Sequence, residues 1–351
     1  MTKLPVSELI PGMRLAKDVY LRDGRLLLLS GFVIKPMYIR KLEAFNIDAV
    51  FVDKDSFAPV EEFYEEKLYR HAHDTIKKIF TQVRNGKDAD ISIIRETVVE
   101  IIEKVMENET VLLQLTGIRD IDNYTFLHSI DVCIFATILG KKMGFGKDAL
   151  VDLGMGAILH DIGKCKVPLE ILKKPGSLTD SEFTEMKLHP VYGCEIIKSV
   201  NGLNSKIAGV AFQHHEKWDG TGYPLGIRDR NINPFSRIVT LADVYDALTS
   251  DRIYKQKELP HIAADYIKKN SGVLFDPDIV DLFVSNIAIY AEGTIVLLNT
   301  GELGSISSAG IHGTSRQKVF IFSNRSGPPL LHPYTLDLDE HSEIEIIEIF
   351  I

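Results

Sequence analysis

The chain has 351 residues, 45% hydrophobic and 25% charged, and a formal net charge of −9. That length suggests more than one domain, and that composition an ordinary globular protein. The acidic balance excludes a broad attraction to extended nucleic acid or to an anionic membrane, and leaves room for a local basic pocket that takes a small anion.

Cys133, Cys165 and Cys194 lie far apart with no C-x-x-C spacing. That pattern is neither a disulfide framework nor a thiolate zinc site, and it fits a reducing cytoplasm. The opening "MTKLPVSELIPGM" lacks the apolar stretch of a signal peptide, and no apolar run is long enough to predict a membrane span.

Residues 1–58 read as a small α+β unit. "MRLAKDVYL" and "RLLLLSGFVI" are strand candidates, "PMYIRKLEAF" has a proline start and helical spacing, and "IDAVFVD" closes as a strand. No catalytic group stands out there, so the unit is read as a docking or regulatory module. Residues 60–118 read as a helical linker: "EEFYEEKLYRHAHDTIKKIF" and "ISIIRETVVEIIEKVMEN" repeat apolar positions at three- and four-residue spacing. Such helices bridge domains or pair with a second copy, which makes a homodimer one expectation. His71 and His73, two apart on a helix, point away from each other and argue against a metal site there.

Residues 119–288 are mostly helical by periodicity, with one glycine-rich loop at 219–226. Residues 289–351 turn strand-like and are broken by Gly, Ser, Asn and Pro, so a β-rich C-terminal unit is expected. The fold class predicted is mainly α, with a helical central domain between two small units.

Five of the 11 histidines, His128, His160, His189, His214 and His215, fall in that helical region. Burying an imidazole or a carboxylate without a partner costs several kcal/mol, roughly, for the charge, so "HDIGK" at the end of an apolar helix needs compensation. Adjacent helical residues sit about 100° apart, and both can face one cleft at a helix end. Asp161 offers two carboxylate oxygens, one for each of two metals. Asp243, in the apolar "RIVTLADVYDAL", needs compensation: a helix N-cap role, a pair with Arg237 or Arg252, or a metal supplies it. Five imidazoles with two carboxylates suit first-row transition metals better than magnesium. Two such ions lower the pKa of a bridging water and clamp a phosphoryl group.

"HDIGK", "ILKKPGSLTDSEFTEMKLHPVYG", "HHEKWDGTGYPLG", "RIVTLADVYDALTSDRIY" and "FDPDIV" occur in that order. Together they resemble the HD-GYP subgroup of the HD-domain metal-dependent phosphohydrolases, over about residues 120–285. The resemblance implies an all-helical HD-type domain. It also implies a phosphodiesterase that hydrolyses c-di-GMP to pGpG and GMP through a hydroxide held by two divalent transition metals, iron or manganese. Carried onto this chain, His128, His160, Asp161 and Asp243 resemble ligands of one metal. His189, His214 and His215 resemble ligands of the second, with Asp161 bridging.

Lys164, Arg252 and Lys255 then resemble phosphate contacts, and Lys164 with Asp161 the catalytic pair. Gly222 and Tyr223 resemble substrate contacts in the loop that ends on Pro224: the glycine allows close backbone approach and the tyrosine offers a flat face with a hydroxyl. The loop, like residues 1–58, is also a candidate contact for a protein partner. Tyr124 stands where relatives with a third metal carry glutamate, so two metals are expected. Ile253 replaces a common proline. The same ligand set suits cyclic GMP-AMP or linear dinucleotides, and a c-di-GMP-sensing module with weak turnover is the rival of a different class. A (p)ppGpp hydrolase of the broader HD group is disfavoured by the second-metal histidines and the GYP loop.

Overall fold

The helical centre expected from the sequence is present in a computed structural model. The structure describes residues 1–20, 26–28, 30–34, 38, 39, 42, 43, 45–57, 62–87, 90–107, 124–200, 203–250, 258–286, 290, 294–308, 318–324, 329–338, 340, 341 and 343–349. The chain divides into two units, Met1–Tyr64 with Ala288–Ile351, and Glu65–Ile287.

The first unit is made from both ends of the chain. Strands β1 (Thr2–Pro5), β2 (Met13–Leu15) and β5 (Ala49–Phe57) form an antiparallel sheet with β5 in the middle, and β3 (Val19–Tyr20) pairs with β4 (Leu26–Leu28). The C-terminal strands are β6 (Ile295–Leu298), β7 (Glu302–Ser308), β8 (Lys318–Asn324), β9 (Pro329–Asp337) and β10 (Ile346–Ile349). They form an antiparallel sheet in the order β10-β6-β7-β8-β9. All four β6 side chains are buried. Successive strand residues face opposite sides, so Ile295 and Leu297 join Leu15, Leu28, Ile34, Leu42 and Val52 in one core. Val296 and Leu298 join Val319, Ile321 and Leu336 in another. The two end segments that read as separate units in the sequence therefore share a core.

The second unit is helical. It contains α1 (Glu62–Arg84), α2 (Ile93–Glu107), α3 (Tyr124–Lys142), α4 (Lys147–Leu159), a 3-10 turn (Ile162–Lys166), α5 (Leu169–Leu172), α6 (Asp180–Met186), α7 (His189–Lys198), α8 (Ser205–Gln213), α9 (Pro234–Thr249), α10 (Pro260–Lys269) and α11 (Pro277–Asn286). Helix α4 is buried almost all round, from Leu150 through Leu159, and such a helix belongs at a domain centre. It packs against α3, α8 and α2.

The helices read as a linker pack on this centre. Ile94, Val98, Ile101, Ile102 and Val105 of α2 are buried. On α1, Ile76, Ile79 and Phe80 are buried, and the Tyr69 hydroxyl donates to Asp131 of α3. Two further bonds tie α1 to the 3-10 turn: Arg84 donates to the Lys164 carbonyl at 2.8 Å, and the Cys165 thiol to the Phe80 carbonyl at 3.3 Å. No helix among the described residues is long and apolar enough to cross a membrane.

Candidate metal centre

Three helix ends converge. His160 caps the C-terminus of α4 and Asp161 follows it, His189 opens α7 with Pro190 behind it, and His214 caps the C-terminus of α8, followed by His215. His128 and Asp243 come from α3 and α9, which lie side by side. Helix α9 is started by Asn233, whose side chain accepts from the Phe235 N–H, and by Pro234 at its first position.

Gly163 explains why a glycine interrupts "HDIGK". A Cβ there would lie 1.9 Å from the His189 carbonyl oxygen and 2.5 Å from the Gly193 nitrogen. Only a bare Cα lets the 3-10 turn press against α7 and bring Asp161 to His189.

The seven side chains carried over from the resemblance meet as two groups: Asp161, His189, His214 and His215, and His128, His160 and Asp243. All but His215 and Asp243 are buried, and those two are partly so. Asp161 joins the groups. Its Oδ2 lies 3.3 Å from His160 Nε2, and its Oδ1 lies 3.4 Å from His189 Nε2 and 3.7 Å from His214 Nε2.

The ring orientations are fixed from behind. Nδ1 of His160 donates to the Ala157 carbonyl at 2.6 Å, that of His189 to Met186 at 2.7 Å, and that of His214 to Ala211 at 3.0 Å. Their Nε2 atoms are then acceptors that face inward. His189 Nε2 and His214 Nε2 stand 3.2 Å apart, and His215 Nε2 lies 3.1 Å from His189 Nε2. Lone pairs facing lone pairs at that distance call for a cation between them. His160 Nε2 and Asp161 Oδ1 are buried without a hydrogen-bond partner. This donor set fits divalent transition metals.

A proton does not supply that cation in the second group. Burial, with the neighbouring His214 and Lys164 charges and against the pull of Asp161, pushes His189 down to about 3. Burial also lowers His214, and lowers His215 well below the ordinary range. The first group behaves otherwise. Burial lowers His128, but Asp243 and Asp246 outweigh it and raise the imidazole to about 9. Its Nδ1 meets Asp246 Oδ2 at 2.5 Å and its Nε2 faces Asp243 Oδ1 at 3.2 Å. Burial would raise Asp161 and Asp243. Lys164 and the imidazoles hold Asp161, and His128 and His160 hold Asp243, well below the usual carboxylate range.

Lys164 reaches Asp161 Oδ2 at 2.5 Å and is one-third exposed. Gly222 sits against backbone: a Cβ there would lie 2.4 Å from the Lys217 nitrogen and 2.5 Å from the His215 oxygen. The Tyr223 N–H donates to that same oxygen at 3.1 Å. The Tyr223 ring stacks on His215 with centroids 4.7 Å apart. Burial and the charges of Asp161 and Asp243 raise the Tyr223 phenol, so it stays neutral. Arg237, one candidate counter-charge for Asp243, is instead bonded to Asp276. Arg252, the other candidate, and Lys255 lie outside the described residues.

Sequence reasoning missed two supports. Asp246 sits one turn beyond Asp243 on α9, a spacing that could have flagged it as the carboxylate behind His128. Glu216, buried beside His215, accepts the Leu225 N–H at 2.7 Å and holds the loop closed.

A family profile described as "HD domain" matches residues 113–279. A cyclic di-GMP phosphodiesterase of Pseudomonas aeruginosa is 35% identical over 269 residues, which is 75% of this chain and 64% of that protein. A 3'3'-cGAMP-specific phosphodiesterase of Vibrio cholerae is 34% identical over 155 residues, 44% of this chain and 34% of that protein. The chain thus spans less than two thirds of the length of either relative. An HDG"Y"P protein of Bdellovibrio bacteriovorus shares the fold, with a TM-score of 0.55 at 17% identity over 80% of this chain and 97% of that one.

Proposed function

From the premise that residues 113–279 are an HD domain of the HD-GYP type, we propose that this chain is a metal-dependent phosphodiesterase that hydrolyses c-di-GMP to pGpG and GMP. The observation that carries the reading is the pair of donor groups joined through Asp161, with unpartnered acceptor atoms pointing inward. Iron or manganese is the metal we assign, and the cytoplasm the compartment. The three free, buried cysteines are compatible with that compartment.

His128, His160 and Asp243 would hold one ion, His189, His214 and His215 the other, with Asp161 shared. Two divalent ions there supply a Lewis-acid clamp on a phosphodiester and a nucleophile at neutral pH. The chain does the rest. The backbone carbonyls behind His160, His189 and His214 keep each Nε2 aimed inward, so no reorientation precedes the reaction. Asp161 stays ionised and offers one oxygen to each group. Lys164 places an ammonium beside the cluster, where negative charge grows on the phosphoryl oxygens. Tyr223 and Gly222 form the wall beside His215, and we assign Arg252 and Lys255 to further phosphate contacts. The relative named for 3'3'-cGAMP makes that cyclic dinucleotide the second substrate to test.

Metal analysis of protein purified without air, coupled to product assays on a cyclic-dinucleotide panel, tests the reading. The expected result is bound iron or manganese with c-di-GMP cleaved, and loss of both metal and turnover in His160→Ala. Undiminished cleavage by metal-free protein sinks it.

A further inference from the structure

A cyclic dinucleotide carries two phosphodiesters, and one active site can cleave only one of them at a time. The other is an anion that needs its own cation. Among the described residues Lys164 is a poor choice for it, because its ammonium is already bound to Asp161 at 2.5 Å, and Arg252 and Lys255 lie outside those residues.

Lys187 stands differently. It caps the C-terminus of α6, two residues before His189. Its ammonium lies 4.6 Å from the centroid of the Phe183 ring and 5.6 Å from that of Tyr223. Tyr223 in turn stacks on His215. Imidazole, phenol, ammonium and phenyl thus form a column that leads outward from the second donor group. Among the described residues Lys187 has no carboxylate partner. The side chains around it include the exposed Phe183 and Leu188, and Leu225 lies two residues beyond Tyr223 and is exposed too. Aromatic faces orient a cation without neutralising it, so the charge remains available to an anion. Apolar neighbours suit the flat bases that accompany a nucleotide phosphate.

We propose that Lys187 binds the phosphate of the cyclic dinucleotide that is not being cleaved. This rests on the function proposed above, and makes Lys187 a determinant of preference for substrates with two phosphates. It is a binding residue and takes no part in bond breaking.

The test is Lys187→Met and Lys187→Arg, assayed on c-di-GMP and on bis(p-nitrophenyl) phosphate, which has a single phosphodiester, with metal content measured alongside. In Lys187→Met the KM for c-di-GMP rises about tenfold, the loss of one charge-assisted phosphate contact at an exposed rim, while kcat stays within about twofold. Lys187→Arg recovers most of the KM. Metal content and the bis(p-nitrophenyl) phosphate kinetics do not change in either variant. An unchanged KM for c-di-GMP in Lys187→Met overturns the proposal. So does an equal loss on both substrates or a loss of metal, since each marks a structural role. Failure of the underlying function shows earlier and in the wild type, as metal-loaded protein that cleaves bis(p-nitrophenyl) phosphate and no cyclic dinucleotide, and it removes this proposal with it.

Discussion

The two donor groups differ at His128: His160 shares the backbone-carbonyl bracing of the second group, and His128 does not. In the first, His128 is braced by carboxylates on both nitrogens, Asp246 behind and Asp243 in front. In the second, His189 and His214 are braced by backbone carbonyls, and among its four members the only carboxylate is the shared Asp161. Metal-free, the first group holds a proton and the second holds none. Either partner fixes the ring and raises its donor strength, but a carboxylate behind an imidazole also adds a full negative charge, which a carbonyl does not. The cluster thus presents two unlike donor groups, joined through Asp161.

The sharpest way to break that link is Gly163→Ala. The added methyl would meet the His189 carbonyl at 1.9 Å, and backbone cannot step aside as a side-chain tip can. Separating the 3-10 turn from α7 costs about 3 kcal/mol, the upper end of overpacking effects. Urea unfolding measures it. The damage falls on the second group, because His128, His160 and Asp243 do not depend on α7. Metal analysis should find that group emptied first. A variant as stable as wild type, with both ions retained, means the turn and α7 do not need this contact.

That contact also marks what the sequence could tell. Six of the seven side chains that come together here were legible because they sit in short runs of text with their own signature, such as "HDIGK" and "HHEKWDGTGYPLG"; His128 has no such run and was picked out with them through the resemblance. The closeness of Gly163 to His189 was not, since it joins positions 26 apart through a packing angle that no local pattern encodes. Lys187 was passed over because a lysine on a short polar helix looks like any solvated charge until Tyr223 is seen beside it. Most strands at the chain ends were readable from apolar runs set between turn residues, while β1 and β9 were not. The core shared by the two ends was not readable either, because Leu297 and Val52 meet only after the whole helical unit has been spanned. The periodicity of α2 was clear, while the surface that its Val98 and Ile102 would cover was not.

Asp246→Asn sharpens the contrast between the groups. It keeps the size of the side chain and removes the charge behind His128. Changing such an outer partner typically costs metal affinity about 10–100-fold, and here the loss should be confined to the first group. The pH dependence follows from the same bond. Below about 9 the wild-type His128 carries a proton in the metal-free protein, and binding has to displace it. Affinity of the first group therefore rises with pH up to about 9, while the second, with His189 neutral above about 3, stays level across the neutral range. Calorimetry in buffers of different ionisation enthalpy reads the released proton. Proton release that is the same in Asp246→Asn as in wild type would remove the distinction between the two groups.

The smallest effect lies at α6, which carries Lys187 toward the second group. Thr179 starts this helix by accepting from the Glu182 N–H, and the Glu182 carboxylate accepts from the Thr179 N–H at 2.7 Å and from Lys174 at 2.5 Å. Thr179→Ala should cost about 1 kcal/mol, seen as a lower urea midpoint with unchanged slope. Lys174 and the Thr179 backbone hold Glu182 down to about 2, below its ordinary 4.5. The stabilisation is therefore fully present above 4.5 and fades as the pH falls toward about 2. In Thr179→Ala that fading should be weaker, because part of what the proton abolishes is already gone. Metal content should not change, since the Met186 carbonyl that holds His189 lies at the end of α6 opposite the Thr179 cap. If metal is lost along with the cap, α6 steers the second group, and the backbone bracing described for His189 is not sufficient by itself.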